Sequence, residues 1–578
     1  MNKIKNILEK LNTIVSKTPL IIKSFNTTEK VIFYLTLTIF LISSGILYNK
    51  INTKYSVEIP TAGGSLVEGI IGVPRFINPI LASSNADKDL CTLIYSGLLK
   101  ATPNGKLVPD LAESYEISKD GKTYTFKLKE NLIFQDGKPL TTEDIEFTIK
   151  ATQDEIIKSS KRANWDSVEI KRLNDKEIQF ILKQAYAPFL ENLTLGILPK
   201  HLWGNITSEQ FAFSQYNVNP IGSGPYKIDK IKKSADGTTE KYELKSFSGY
   251  AHPQAYISKL IIKFYSNEDS LIDAYSKKLI ESLNSISPKN INKLTFQKDS
   301  EILSTPLPRI FGLFLNQDEN PIFTNLEVRK ALDKAINKDQ LINQVFDTYG
   351  VSIDSPIPSN SIYYLPTQTE EKGLAVAENI LKEGGWTKNE NGVYQKITKK
   401  NSQILSFSIS TSNIPELKEM AELLKTRWEE MGAKVQLKIF EIGDLNQNVI
   451  RPRKYDSLLF GEVIGRDMDL FAFWHSSQRN DPGLNISLYA NITTDNLLEK
   501  IRITSDVEEK KTYFKDFQEE IREDKPAIFI YSPDFIYITT KKIKNNIINQ
   551  ITIPSDRFLD VSNWYIKTDK VWKIFSNL

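Results

Sequence analysis

The chain has 578 residues, of which 40% are hydrophobic and 25% charged, and its formal net charge is +3. This length is more than one core serves, so several domains or lobes are expected, and the near-neutral balance excludes the strong positive field of a nucleic-acid-binding surface. The one cysteine, Cys91, excludes an intramolecular disulfide, and three scattered histidines (His201, His252, His475) leave no basis for a zinc centre or histidine catalysis. No cofactor is expected.

Residues 1–29 carry Ile4, Ile7, Leu8, Leu11 and Ile14 at helical spacing. This suits either an amphipathic helix on an inner membrane surface or a solvated arm. Val31 to Tyr48 holds no charge and lies between Lys30 and Lys50. At a rise of ~1.5 Å per residue it approaches the thickness of the hydrocarbon core, which predicts a spanning helix. Before it, Lys3, Lys5, Lys10, Lys17, Lys23 and Lys30 outweigh Glu9 and Glu29. That excess predicts a cytoplasmic N-terminus and an extracytoplasmic remainder. The expected order is a cytoplasmic basic arm over 1–30, a transmembrane signal anchor over 31–49 and a linker over 50–62. The long span favours an uncleaved anchor, with a cut near Thr61-Ala62-Gly63-Gly64 as the alternative.

From Gly63 onward helical and strand patterns alternate without an internal repeat, which predicts a mixed α/β architecture. Asp120-Gly121 and Asp136-Gly137 are turn dipeptides. Between them Tyr124, Phe126 and Leu128 fall on one side of a strand, with Thr125 and Lys127 on the other. Thr141 is placed to cap a helix, with Asp144 as the acidic half of a capping box. In Asn219-Pro-Ile-Gly-Ser-Gly-Pro-Tyr, Gly222 and Gly224 permit a tight backbone path, and Pro225 leads into a strand at Tyr226. No helix with Lys-Ser/Thr follows, so a phosphate loop is not expected.

Further along, 325–336 predicts an amphipathic helix with Val328, Ala331, Leu332, Ala335 and Ile336 inside and Glu327, Arg329 and Lys334 outside. A second helix over 374–386 should stop at Gly384-Gly385. A strand with Leu405, Phe407 and Ile409, a helix over 416–431 and a strand with Val435, Leu437 and Ile439 then form one α/β unit. Neither a Gly-x-Ser-x-Gly elbow nor His-Glu-x-x-His is present to support a hydrolase.

Taken in order, several blocks resemble the extracytoplasmic substrate-binding proteins of peptide and nickel ABC transporters, solute-binding protein family 5. These are 106–115, 120–128, 134–147, Ala187-Pro-Phe-Leu through Leu198-Pro-Lys-His, the 219–228 motif, Leu315-Asn-Gln through Val328-Arg-Lys-Ala-Leu, Tyr455-Asp-Ser-Leu-Leu-Phe-Gly-Glu and Pro526-Ala-Ile-Phe-Ile-Tyr. The resemblance implies an α/β, two-lobed periplasmic-binding-protein fold with a hinge and an extra inserted domain, preceded by one transmembrane helix. Within a solute-binding domain over 63–578, lobe I would use 63–95, 215–305 and 525–578, the inserted domain 96–214 and lobe III 306–524. Ile310–Leu315 and Ala527–Tyr531 would be the hinge strands.

The implied function is a bacterial membrane-anchored receptor, not an enzyme, that closes on an oligopeptide and delivers it to the permease subunits of an ABC transporter. Ligand sensing without transport, or binding of a nickel complex, are the alternatives. The implied ligand loop follows the strand at 457–460. There Glu462 stands nearest the family's aspartate for the ligand ammonium, and Asp467 matches its Asp-Pro pair with Met468 in place of proline. Arg466 and Asp469 accompany them, and Phe471 and Trp474 are expected as pocket walls. On the facing lobe, Ser83, Ser84 and Asn85 lie where the family pairs a ligand backbone with a strand edge.

Overall fold

A computed structural model describes residues 23–296, 298–366, 371–397 and 402–575. The expected amphipathic face at Ile4 to Ile14, and most of the basic arm, lie outside them. The chain divides into two compact units: the described residues up to Thr61 together with those from Lys567 on, and Ala62–Ile566.

In the first unit, Asn26 opens a helix over Thr27–Tyr55 through a capping box with Glu29. The helix has 29 residues, none of them buried, and is long and apolar enough to cross a membrane. It continues through residues expected to be a linker. The remaining linker residues are not loose either: Ser56–Thr61 pairs antiparallel with Lys567–Trp572, Val57 opposite Val571. The last strand therefore belongs with the N-terminal helix, whereas it was expected in lobe I.

The second unit is organised by one long strand, Ala527–Thr540, whose sequence AIFIYSPDFIYITT is buried at every position except Pro533 and Asp534. Such continuous burial marks a strand covered on both faces. Its first half pairs with Arg309–Leu315 and its second half with Ser300–Pro306 and Ser282–Asn284. Beyond Arg309–Leu315 the sheet continues through Ser457–Val463, Ser406–Ser412 and Lys434–Phe440. On the other side it continues through Ser65–Ile71, Lys259–Tyr265, Thr239–Ser246 and Tyr226–Lys233. The two halves meet where Pro306-Leu307-Pro308 passes Pro533, and there the Leu307 N–H donates to the Pro533 carbonyl at 2.9 Å. Prolines on both strands remove donors from this crossing, which adjoins the expected hinge strands Ile310–Leu315 and Ala527–Tyr531.

A separate four-stranded sheet, Ala112–Ile117, Thr123–Leu128, Glu177–Ile181 and Glu169–Arg172, has its own core of Tyr124, Phe126, Leu128, Trp165, Phe180 and Phe189. This is the inserted domain, and the capping box of Thr141 with Asp144 opens its helix Thr142–Gln153. The two glycines of the 219–228 motif serve close approach: a Cβ at Gly222 would lie 2.1 Å from the Ile94 carbonyl oxygen, and the Gly224 N–H donates to that oxygen at 2.7 Å. The end of helix Asn85–Ile94 is thereby fixed against the strand Tyr226–Lys233.

Two expectations in 306–524 need correction. Arg329 is buried, because its guanidinium donates to the carbonyls of Asp524 and Phe323 at the base of its helix. Ile439 is 39% exposed, because Lys434–Phe440 is the edge strand and one of its faces meets solvent.

Candidate ligand cleft

The strand expected to end at Phe460 runs three residues further, to Val463. Glu462 is therefore a strand residue. It shares a face with Leu458 and Phe460, stands opposite Ile310 in the ladder and is 3% exposed. Neither carboxyl oxygen has a hydrogen-bond partner. Burial pushes its pKa well above the usual carboxylate range, and the nearby Trp474 indole, itself outside bonding geometry, offsets only part of that. Trp474 is fully buried against Phe314 and Phe529, and so belongs to the core behind the loop.

The loop that follows carries one charge, Arg466, that is paired across the cleft, and others that are held locally. Arg466 donates to Glu191 of the inserted domain at 3.1 Å and to Asp556 of lobe I at 2.7 Å. Asp556 is held in turn by the Thr552 N–H at 2.7 Å. Burial raises the Glu191 pKa, opposed by Arg466. Asp469 accepts from Arg502 at 2.8 Å and from the Tyr186 hydroxyl at 3.1 Å. The Arg502 guanidinium lies 4.1 Å from the Phe471 ring centroid, and its carbonyl accepts the Ala187 N–H at 3.0 Å. Asp467 turns inward to accept the Asp469 N–H at 3.2 Å, and burial raises its pKa. Together these bonds clasp lobe III to the inserted domain and to lobe I.

Ser83, Ser84 and Asn85 are not a free strand edge. Ser84 caps helix Asn85–Ile94, and the N–H groups of Ser83 and Ser84 both donate to Asp87. The N–H groups of Ser83 and Ser84 are thus engaged within the turn that opens the helix.

Two cavities flank the clasp. One, of about 230 Å³, lies among helix Asn85–Ile94, residues 96–101, the inserted domain and the turn Pro554–Phe558. Lys88, Lys100, Lys161, Asp110 and Ser555 line it, and Arg466 borders it. The other, of about 220 Å³, is bordered by Lys106, Asn360, Tyr363, Met468 and Gln550, again with Arg466. Of the residues expected at the site, Arg466 borders both cavities. Glu462 and Trp474 lie behind the loop, while Asp469 and Phe471 join the Arg502 clasp. Sequence reasoning did not single out Lys88, Lys100, Lys161, Glu191 or Asp556, since none sits in a motif with its cleft neighbours. Among the described residues no group of three or more His, Cys, Asp or Glu side chains is placed to hold a metal ion.

Two sheet halves joined at a proline-bearing crossing, an inserted domain and a cleft clasped between them define a solute-binding receptor of the periplasmic-binding type. The family model described as "Bacterial extracellular solute-binding proteins, family 5 Middle" matches residues 106–482, and the chain belongs to this family. It is 26% identical over 500 residues to the oligopeptide-binding protein AppA of Bacillus subtilis, covering 85% of this chain and 90% of that protein. It is also similar to the crystal structure of the ABC transporter substrate-binding protein CtaP of Listeria monocytogenes, at 27% identity and a TM-score of 0.72, with 88% and 100% covered. NikZ from Campylobacter jejuni, solved in complex with Ni(L-His), matches at 27% identity and a TM-score of 0.66, with 87% and 99% covered.

Proposed function

We propose that this protein is a bacterial receptor held on the outer face of the cytoplasmic membrane by helix Thr27–Tyr55, and that it captures peptides by cleft closure for an ABC permease. The observation that carries the reading is Arg466, which reaches across the cleft to two partners and borders both cavities at once. A side chain so placed couples closure to whatever occupies the cleft, and no bond needs to be broken for that cycle. Peptide is favoured over a nickel complex because His475, the histidine nearest the ligand loop, sits beside Asp495 and Glu499 and borders neither cavity.

The test is thermal unfolding of the full chain in mild detergent with short peptides and, separately, with nickel–histidine. A ligand that binds only the folded form adds about 2.7 kcal/mol at a hundredfold excess over Kd. Stabilisation by peptides, with the peptide recovered intact, is expected. Stabilisation by nickel–histidine alone would overturn the peptide reading. Anchoring is checked by N-terminal sequencing of membrane-extracted protein, and a start near residue 62 would contradict it.

A further inference from the structure

The cavity beside helix Asn85–Ile94 is unusual in its charge accounting. Lys88, Lys100 and Lys161 all line it, and among the described residues none of them has an acidic partner at ion-pair distance. The acids nearby have other hydrogen-bond partners, although Asp110 also lines the cavity and Asp560 lies close enough to act on Lys100. Asp110 pairs with His252 at 2.8 Å, and Asp556 pairs with Arg466. Asp87, next to Lys88 in the chain, accepts the N–H groups of Arg75, Phe76 and Ser84. Asp560 accepts from Asn563 at 2.6 Å. Behind the wall, Glu68 and Asp89 are both taken by Arg557.

Two further observations favour an anion here. Lys161 is exposed, yet surrounding protein, and after it Lys88, hold its pKa below the ordinary lysine value. Two ammonium groups that disfavour each other are stabilised when an anion enters between them. Ser555 is 2% exposed, lines the same cavity and has a hydroxyl with no hydrogen-bond partner. A buried hydroxyl left unpaired is a donor for an incoming oxygen.

We propose that this cavity is a carboxylate subsite, formed by Lys88, Lys100, Lys161 and Ser555, and that the solute is therefore acidic. The proposal rests on the receptor reading of the cleft. It covers an acidic peptide and a carboxylate chelate of a metal alike, since both present the same oxygens. At about 230 Å³ the subsite holds one end of a ligand, below the ~300–1,000 Å³ of a full small-molecule site.

Titration calorimetry on the full chain in detergent tests it, with Ala-Glu-Ala, Ala-Gln-Ala amide and nickel citrate as probes. In the wild type, the peptide with carboxylates should bind about tenfold more tightly than the amide. In the double variant Lys88→Gln, Lys161→Gln that ratio should fall below about twofold. Cys91 lines the same cavity, so the bound acidic probe should slow its alkylation. Equal binding of the two peptides, a ratio that survives in the double variant, or binding that leaves Cys91 unprotected overturns the subsite and leaves the peptide receptor standing. Lysine-dependent binding of nickel citrate alone supports the subsite and overturns the peptide reading. Binding of none of the three probes contradicts both. An unchanged melting temperature of the double variant without ligand shows that it folds.

Discussion

The two faces of the cleft handle charge in opposite ways. On the lobe III face Arg466 is matched across the gap by Glu191 and Asp556, and Asp469 is paired with Arg502 of the same lobe and accepts the Tyr186 hydroxyl from across it. On the other side Lys88 of lobe I and Lys100 and Lys161 of the inserted domain face one cavity without an ion-pair partner, while lobe I's own Glu68 and Asp89 are withdrawn into the core. Matched charges hold two bodies together, whereas unmatched charges facing a cavity await a solute. The same residue types therefore do two jobs, closing the cleft on one wall and selecting its contents on the other. The division depends on Arg557, which is fully buried and pairs with Glu68 through Nε and with Asp89 through both Nη atoms. Tyr537 and Ser282 complete the shell around Glu68.

Substitutions on each side should separate these jobs. The largest effect is expected from Arg557→Met, which leaves two buried acids uncompensated. Denaturant unfolding should show a loss of about 3–5 kcal/mol. A loss below about 1 kcal/mol would mean that the acids are not held charged by Arg557. Next, Asp469→Asn removes the charge that Arg502 and Tyr186 share, without touching either cavity. Closure should lose about 1.5 kcal/mol, which titration reads as roughly tenfold weaker binding of charged and neutral ligands alike. A loss confined to acidic ligands would break the distinction between the two faces.

The smallest effect concerns Glu462→Gln. An acid whose pKa is raised in the folded state costs stability as pH climbs above the unfolded value near ~4.3, and costs nothing below it. The variant should therefore gain on the wild type from about pH 4.3 upward, by on the order of 1 kcal/mol at pH 7, and match it at pH 4. Melting curves across that range check the sign. Peptide affinity should change by less than about twofold, since Glu462 borders neither cavity. A tenfold loss would bring back its role as the ammonium anchor.

What the sequence showed and what it hid follows from distance along the chain. The Thr141–Asp144 capping box, the glycine stop at 384–385 and the alternation of Tyr124, Phe126 and Leu128 are local, so spacing alone revealed them. Gly222 and Gly224 were recognisable as a tight path, although their reason, the Ile94 carbonyl, lies elsewhere in the chain. The partners of Arg466 are 275 and 90 residues away, and nothing near it announces them. Glu462 looked like a loop acid because the buried run seemed to end at Phe460. Strand pairing with Arg309–Leu315 carries it on to Val463 and turns the carboxyl inward. The cavity lysines were invisible for a similar reason. Lys88 and Lys161 come from different domains and meet only once the inserted domain packs on lobe I.

The division between the two faces is tested most directly by one distance. Spin labels at the exposed positions Lys230 and Glu422, in a Cys91→Ser background of the full chain, report the separation of the two sheet halves by pulsed electron resonance. Without ligand, Arg466→Gln should shift the distribution to longer distances, and Lys88→Gln with Lys161→Gln should leave it as in the parent. Opening caused by the lysine variant, or a distribution unmoved by Arg466→Gln, would contradict the assignment of closure to one wall and selection to the other.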